Sequence, residues 1–426
     1  MSKAVKLAIV GLGNRGHGML GSPIIPMAKE GEVEIVAVCD LLQDRVDDVK
    51  QIVTDNGLPT PFGTTKLAEL LAIEEIEAVY IAVSWEAHVS VAVAAMEAGK
   101  YVGLEAGGAY DLEDCYRLVR TYERTGSELM LMENCCYGKR ELMMLNMVRK
   151  GVFGDVVHCN GAYCHDLRTE IIAGKEIKHY RLRNYLLRNG ENYPTHEIGP
   201  IAKLLDINNG NRFVSITSVA SCAKSMHQYV VDTKGADHPL AQVDFKQGDV
   251  ITTLLTCAGG QTVCITLDTT RPRAYSRRFE VLGTKATYLE DNDSLFIDGN
   301  EEHRKHEWAI WDKMWGNAKE YEEEYLHSLW KDGVGNDMHG GIDHLVFAAF
   351  ITAVRDGLHP PIDVYDAATY MAITVLSEQS VAHGGMPIPF PDFTAGRWTI
   401  RADIADNAYT LDRLDKHDLY HADSAY

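Results

Sequence analysis

The chain has 426 residues, 46% hydrophobic and 24% charged, a composition typical of a globular protein with more than one domain. Asp and Glu number 61 against 41 Lys and Arg, so the formal net charge is -20. A surface this acidic repels phosphate backbones and anionic lipid headgroups. We therefore expect neither a nucleic acid nor a membrane surface as a partner.

The N-terminus and the cysteines predict the compartment. A strand and a glycine turn follow the first residues directly, so we expect no export signal. No apolar run approaches the ~20 residues that a membrane span requires. The nine cysteines form no Cys-x-x-Cys pattern and indicate reduced thiols in a cytoplasmic protein. The group His158, Cys159, Cys164 and His165 is interpreted as alternating strand residues, and no metal site is expected.

In residues 1–134 short apolar runs alternate with helical stretches, which predicts a parallel, doubly wound sheet. The predicted strands are Lys6–Val10, Val33–Cys39, Glu77–Val83, Tyr101–Leu104 and Leu129–Met132. A helix over His88–Glu97 is expected to end at Gly99 in the left-handed conformation, with Lys100 beside it to complement the helix dipole.

The segment GLGNRG at residues 11–16 fits the GxGxxG pattern and lies between a predicted strand and a helix. Gly11 allows the tight turn, Gly13 lets the backbone approach a pyrophosphate, and Gly16 permits close packing of helix on strand. Asp40 ends the second strand, where a carboxylate accepts hydrogen bonds from ribose hydroxyls and repels a 2′-phosphate. The pattern predicts a Rossmann domain that binds NAD rather than NADP.

After residue 150 the pattern changes to β-rich segments with few intervening helices. The predicted strands are Val156–Tyr163, Val214–Ser221, Val250–Thr256, Thr262–Leu267 and Phe279–Leu282. This pattern predicts an α+β domain with a large, open, mostly antiparallel sheet.

Helices and an insertion complete the predicted organisation. Glu141–Lys150 is predicted to connect the domains, and Trp308–Trp330 is interpreted as an insertion. His339–Asp356 and Val364–His383 have helical periodicity and are expected to pack back on the first domain. The predicted domains are an NAD-binding domain at 1–134, a connecting helix at 135–150 and an α+β substrate domain at 151–426.

A Rossmann domain followed by a large open sheet resembles the Gfo/Idh/MocA oxidoreductase superfamily. Dehydrogenases of that group carry Glu-Lys-Pro after the fifth strand, and their lysine assists proton transfer. Here the corresponding stretch is Glu-Ala-Gly-Gly at residues 105–108, which lacks the lysine. Those dehydrogenases also place an Asp four residues before a His, whereas Asn192 precedes His196 here. Both departures argue against a plain dehydrogenase.

The chain resembles a narrower group, the NAD-dependent glycosidases of glycoside hydrolase family 109, which include α-N-acetylgalactosaminidases. The matching segments are GLGNRG at 11–16, WEAH at 85–88, Asn134, HDLR at 165–168, Tyr180–Arg183, NYPTH at 192–196, LDIN at 205–208, Thr270–Tyr275, HGG at 339–341, Pro387–Phe393 and RW at 397–398. One departure adds a charge: Glu197 stands where the family usually has glycine, which places a carboxylate beside the expected pocket.

The resemblance implies a glycosidase whose tightly bound NAD⁺ is not consumed. Hydride leaves C3 of the sugar, which gives a 3-keto intermediate and acidifies the proton on C2. A base removes that proton, the aglycone is eliminated, water adds, and the hydride returns. This route differs from the usual hydrolysis by two carboxylates.

The resemblance also implies site residues. The cofactor-binding positions are Gly11, Gly13, Asn14, Arg15, Gly16, Asp40, Trp85, His88, Glu105, Ala106 and Asn134. The substrate-binding positions are Tyr163, Arg181, Tyr193, Thr195, His196 and Tyr275. Of these, His196, Tyr163 and Tyr275 are the catalytic candidates, because imidazole transfers protons near neutral pH and a phenol does so when cations lower its pKa. Tyr275 has four arginines nearby in sequence, at positions 271, 273, 277 and 278.

Two alternatives remain open from the sequence. One is an NAD-dependent sugar or inositol dehydrogenase, and the other is a non-catalytic NAD-binding sensor. The sequence predicts a small glycoside as substrate and a homo-oligomer as the assembly, without specifying the sugar, the anomer, the aglycone or the base that acts at C2.

Overall fold

The structure is a computed structural model that describes residues 3–174, 179–300, 316–331, 334, 339–400 and 407–411. It divides into two compact units. The first comprises Met1–Tyr137, Asp332–Thr369 and Asp403–Thr410, and the second comprises Gly138–Lys331, Tyr370–Ala402 and Leu411–Tyr426. The domain boundaries inferred from the sequence, at 1–134, 135–150 and 151–426, stay a prediction.

The first unit is built on a six-stranded parallel sheet in the order β3-β2-β1-β4-β5-β6. The strands are β1 Val5–Val10, β2 Val33–Cys39, β3 Phe62–Thr64, β4 Ala78–Ile81, β5 Tyr101–Glu105 and β6 Leu129–Met132. This order is that of the Rossmann fold, so the predicted doubly wound sheet is confirmed. The strand β3 was not predicted, because it is three residues long and only Thr64 is buried.

Helices follow most of these strands. They are α1 Asn14–Met19, α2 Ile25–Lys29, α3 Gln43–Asp55, α4 Leu67–Leu71, α5 Trp85–Glu97 and α6 Leu112–Thr125, with a π-helical turn at Leu20–Ile24 and a 3₁₀ turn at Asn134–Tyr137. Gly99 follows α5 with a φ of 73°, as predicted. Lys100 differs from its predicted role at the helix dipole: its buried Nζ donates to the carbonyl oxygens of Ile73 and Ile76, each at 2.9 Å.

The second unit contains an eight-stranded sheet in the order β13-β12-β11-β7-β10-β9-β8-β14. The strands are β7 Val156–Cys164, β8 Phe213–Ala220, β9 Ile251–Cys257, β10 Thr262–Asp268, β11 Glu280–Gly283, β12 Ala286–Leu289, β13 Ser294–Ile297 and β14 Ile388–Pro389. Its neighbours pair antiparallel except β7 and β10, which are parallel. The predicted α+β fold with a large, mostly antiparallel sheet is confirmed.

The expectation of few helices between these strands is wrong. Between β7 and β9 the chain forms α8 Arg168–Ile172, α9 Arg181–Leu187, α10 Thr195–Leu204 and α11 Ser225–Lys234. These helices have 5, 7, 10 and 10 residues. Each is shorter than the window of about 11 residues over which helical periodicity is read, so their pattern was not recognised.

The remaining helices bracket and follow the sheet. They are α7 Lys139–Arg149, α12 Glu322–Tyr325, α13 Ser328–Lys331, α14 Ile342–Asp356 and α15 Val364–Ala382. Residues 308–315 of the predicted insertion lie outside the described part of the chain. Within the described ranges, no helix combines the length and the apolar character needed to cross a bilayer.

Candidate functional site

The predicted cofactor residues of the first unit follow its parallel strands. Gly11 comes after β1, Asp40 after β2, Trp85 after β4, Glu105 ends β5, and Asn134 follows β6. Because the carboxyl ends of parallel strands meet at one edge of the sheet, these five positions share that edge. In open α/β sheets this edge is where ligands bind.

The glycine turn leaves no room for side chains. Gly11 has a φ of 92°, and a Cβ there would lie 2.5 Å from the carbonyl oxygen of Ala82. A Cβ on Gly16 would overlap the carbonyl oxygen of Gly11. These two glycines let α1 begin directly on the end of β1, which is the backbone cradle that a pyrophosphate requires.

Asp40 is fixed against this turn. Its Oδ2 accepts a hydrogen bond from the backbone N–H of Leu12 at 2.8 Å, and its Oδ1 accepts one from Leu42 at 3.0 Å. The guanidinium of Arg45 lies 3.6 Å from Oδ2. The carboxylate is thus held in place at the end of β2, where the sequence predicted a ribose acceptor.

Two predicted cofactor residues, Arg15 and Asn134, meet at a residue that the sequence analysis did not single out. Asp343, in the first turn of α14, binds both terminal nitrogens of Arg15 at 2.9 Å. Its Oδ1 also accepts a hydrogen bond from Asn134 at 2.7 Å, and Nε of Arg15 lies 2.9 Å from Glu105. We call Arg15, Glu105, Asn134 and Asp343 the Arg15 network.

Two further side chains complete the Arg15 network. His339 bonds to Asp343 at 2.6 Å, and the hydroxyl of Tyr80 donates to Glu105 at 2.6 Å. Burial alone would raise the pKa of Asp343, but the bonds from His339 and Arg15 hold that pKa well below its usual range. The spacing of His339 and Asp343, four residues apart before an apolar helix, is the signal that sequence analysis could have used.

The glycines after Glu105 have a steric reason. A Cβ on Gly107 would lie 2.5 Å from Cδ1 of Trp85 and 3.1 Å from Cε1 of His88. Trp85 and His88, one turn apart on α5, therefore occupy the space that a side chain at position 107 would need. The segments WEAH and EAGG are complementary in shape, which explains why position 107 is glycine and not the proline of the dehydrogenase pattern.

His88 is neutral in this setting. Burial lowers its pKa to about 4, and Nε2 bonds to the carbonyl oxygen of Val83 at 3.0 Å. Its Nδ1 is buried and has no hydrogen-bond partner in the described part of the protein. Of the other predicted cofactor residues, Asn14 is exposed at the start of α1, and the buried N–H of Ala106 donates to Glu105 at 3.2 Å.

In the second unit the predicted substrate residues form an aromatic cluster around Tyr163. Its ring centroid lies 4.9 Å from that of Tyr193, 5.5 Å from His196 and 6.3 Å from Tyr275. His165, which sequence analysis did not place in the site, lies 5.7 Å away. Tyr193 and His196 pack edge to face at 4.8 Å. We call these five residues the aromatic cluster.

Arg181 adds a cation to the cluster. Its guanidinium lies 5.3 Å from the ring centroid of Tyr193, and its Nε is 2.5 Å from Oε1 of Glu170. Arg181 is buried, so the cation is held by the ring and the carboxylate rather than by water. Arg181 therefore makes its ion pair with Glu170 from a buried position.

The phenol of Tyr163 is neutral at physiological pH. Burial raises its pKa, although the nearby Arg181 opposes the shift. Burial, with a contribution from Arg181, also lowers the pKa of His165. With both groups neutral, the Tyr163 hydroxyl can donate to Nδ1 of His165, which lies 3.1 Å away. Tyr163 is thus suited to donate a hydrogen bond rather than to act as a base.

Tyr275 and Thr195 differ in burial. Tyr275 is 52% exposed, whereas Thr195 is fully buried and its hydroxyl has no partner among the described residues. The arginines near Tyr275 in sequence bind carboxylates: Arg271 and Arg273 lie 2.5 and 2.6 Å from Asp268. A third, at position 277, lies 2.6 Å from Glu141. These three arginines are thus engaged with carboxylates, and about half of the Tyr275 side chain is exposed to solvent.

Comparisons with known families agree with this geometry. Residues 137–400 match the family described as glycosyl hydrolase 109, C-terminal domain. Residues 5–133 match the oxidoreductase family with an NAD-binding Rossmann fold.

Two curated relatives span most of the chain. A glycosyl hydrolase family 109 protein of Parabacteroides distasonis is 37% identical over 93% of this chain and 88% of its own. An alpha-N-acetylgalactosaminidase of Tannerella forsythia is 38% identical over 86% of this chain and 82% of its own.

Solved structures share the fold at low identity. An inositol dehydrogenase homolog of Azotobacter vinelandii, complexed with NADH and myo-inositol, has a TM-score of 0.65 at 16% identity, over 91% of this chain and 98% of its own. A levoglucosan dehydrogenase complexed with NADH and levoglucosan has a TM-score of 0.66 at 16% identity, over 92% and 100%. At this identity the likeness concerns the fold alone.

Proposed function

The chain belongs to glycosyl hydrolase family 109 and binds NAD, and on that premise we propose that it hydrolyses α-N-acetylgalactosaminides. The observation that carries the proposal is the aromatic cluster with Arg181. It collects tyrosine and histidine side chains that can stack on a sugar ring, donate hydrogen bonds and transfer protons. The relative named alpha-N-acetylgalactosaminidase supports the choice of sugar.

The proposed roles follow from the contacts. Tyr163 donates a hydrogen bond, since burial keeps its phenol neutral, and Arg181 supplies a fixed cation for an oxyanion or carbonyl oxygen. Thr195 offers a buried hydroxyl that lacks a partner in the described ranges of the chain, as expected of a group that binds a ligand. His196, partly buried beside Tyr193, transfers the proton. Tyr275, at the exposed end, contacts the sugar.

We assign the cofactor to the glycine turn, Asp40, the Arg15 network, and the segments WEAH and EAGG. When bound there, NAD⁺ supplies a reversible oxidation at C3 of the sugar. The chain's own residues then act at C2: a base removes the proton that the adjacent carbonyl acidifies, and cationic or hydrogen-bonding groups stabilise the enolate. The missing lysine at position 106 argues against the alternative, an NAD-dependent dehydrogenase.

A screen of p-nitrophenyl glycosides tests the proposed specificity. Both anomers of N-acetylgalactosamine, N-acetylglucosamine and galactose are offered with and without added NAD⁺. We expect release of p-nitrophenol from the α-N-acetylgalactosaminide above all. The variant Thr195→Val, which removes the unpartnered hydroxyl at equal size, is expected to raise KM without lowering Tm. Release from neutral hexosides alone would contradict the proposed sugar.

A further inference from the structure

Two glutamates flank the turn that carries Tyr193 and His196. Glu191 and Glu197 are 0% and 2% exposed. Each uses one carboxylate oxygen to accept a backbone hydrogen bond: Oε1 of Glu191 from Tyr193 at 3.3 Å, and Oε2 of Glu197 from Thr266 in β10 at 3.0 Å. The turn is therefore tied at both ends to buried carboxyl groups.

The second oxygen of each carboxyl group has a different environment. Oε2 of Glu191 and Oε1 of Glu197 are buried and receive no hydrogen bond from a donor elsewhere in the described residues. The two carboxyl groups are instead hydrogen-bonded to each other. Two carboxylate oxygens are both acceptors, so such a bond exists only with a proton between them.

Among the described residues, the titratable neighbours of this pair do not include a cation that could replace the proton. The titratable groups facing the pair are Tyr185 of α9 and Cys164 of β7, and burial raises the pKa of both. The backbone N–H of Glu191 donates to the Ser377 hydroxyl of α15 at 2.7 Å. Burial likewise raises the pKa of Glu191, to about 8, and that of Glu197.

We propose that Glu191 and Glu197 form an acid pair joined by the proton of Glu197, and that this pair positions the turn bearing Tyr193 and His196. Loss of the proton puts two negative charges in one buried site, and their repulsion displaces the turn. The glutamates are positioning residues, because they act through Tyr193 and His196. Only the kinetic part of this inference rests on the proposed function.

Infrared spectroscopy of the full chain tests the acid pair without any substrate. The wild type is expected to show the C=O stretch of a buried carboxylic acid at pH 6, which weakens as Glu191 ionises near pH 8 and persists above that pH because Glu197 keeps its proton. The band should be weaker than in the wild type in Glu197→Gln and in Glu191→Gln, and unchanged in Glu74→Gln, which alters an exposed carboxylate. Difference spectra are taken between the wild type and each of the two Gln variants. If neither difference spectrum contains an acid band, the proposal is overturned.

The pH dependence of kcat/KM tests the positioning role. In the wild type we expect kcat/KM to fall on the alkaline side of the pH of about 8 at which Glu191 ionises, by about tenfold per pH unit, the slope for loss of the proton of Glu197. In Glu197→Gln an amide N–H replaces the proton of Glu197 and cannot be lost, so the fall should shift upward by more than about one pH unit. An unchanged alkaline limb would overturn the positioning role. If one variant fails to fold, the other variant and the titration of the wild type still test the positioning role. If the protein has no glycosidase activity, the infrared experiment still tests the acid pair.

Discussion

Asp343 binds Arg15 through both carboxylate oxygens at 2.9 Å, although 328 residues separate the two in the chain. The same carboxylate accepts a hydrogen bond from Asn134. A single buried residue of α14 therefore fixes two side chains that the sequence assigned to the cofactor. Removing the charge of Asp343 is therefore expected to weaken cofactor binding, even if Asp343 itself does not contact the cofactor.

The variant Asp343→Asn tests this arrangement. It keeps the size of the side chain but leaves Arg15 with Glu105 as its remaining carboxylate partner and removes the charge of Asp343, which is expected to cost about 2–4 kcal/mol of stability. The protein should also be purified with less bound NAD(H). Thermal unfolding and the absorbance of the released cofactor measure the two effects. Asp356→Asn, at the exposed end of the same helix, is the matched control. Full cofactor content in Asp343→Asn would contradict the assigned role.

A second prediction concerns the choice between NAD and NADP. The purified protein should contain NAD(H), which mass spectrometry of the denatured supernatant detects. Asp40→Ala removes a ribose acceptor and a repelling charge and leaves Arg45 near the 2′ position, so the preference for NAD⁺ should fall by about tenfold. Asp47→Ala, exposed on α3, should leave the preference unchanged. A predominant NADP(H) signal in the wild type would show that the assignment of Asp40 is wrong.

The sequence predicted the parallel sheet and the glycine turn because their signals are local. The run Val33–Cys39 has the same bounds in the structure, and GLGNRG lies between β1 and α1. Asp343 was missed because its partners come from distant parts of the chain. The short helices α8 and α9 were missed for a similar reason, because they depend on tertiary contacts and lack a readable hydrophobic period. Arg181 of α9, for example, is buried and pairs with Glu170 of α8.

The third prediction concerns pH and stability. Burial lowers the pKa of His359, but the carboxylates of Asp363 and Glu128 outweigh this and raise it to about 10. Because the folded-state pKa exceeds the unfolded value of about 6.5, the stabilisation is full below pH ~6.5 and is lost as pH rises through about 10. His359→Gln should lower Tm at pH 6, and the difference from wild type should shrink towards pH 10. The exposed His383→Gln is the control. A difference that does not change with pH would contradict this charge state.

The fourth prediction concerns proton transfer. His196→Ala is expected to lower kcat by about 10²–10⁴-fold while bound NAD remains, because the side chain lies in the aromatic cluster. His227→Ala, exposed on α11, should behave as wild type. The melting curve of each variant accompanies the kinetics. Near-normal turnover in a folded His196→Ala variant would contradict a role in proton transfer and indicate that this histidine only packs in the cluster.

The site residues of the second unit were predictable only in part. NYPTH placed Tyr193, Thr195 and His196, but nothing in the sequence showed that Glu191 and Glu197 face each other. Their six-residue separation spans a turn whose path depends on anchors in β10 and α15. The arginines near Tyr275 show the opposite difficulty. Their proximity in sequence suggested that they act on Tyr275, but Arg271 and Arg273 bind Asp268.

The last prediction separates a glycosidase that re-reduces its sugar from a dehydrogenase, and a single reaction in D₂O measures it. The glycoside is supplied in large excess over NAD⁺, and the sugar product is examined by NMR while the absorbance of NADH is followed. The account predicts cleavage well beyond the amount of NAD⁺, no steady accumulation of NADH, and deuterium at C2 of the product, because the C2 proton is removed and replaced from solvent. NADH formed in proportion to substrate, with glycosidic bonds intact, would contradict it.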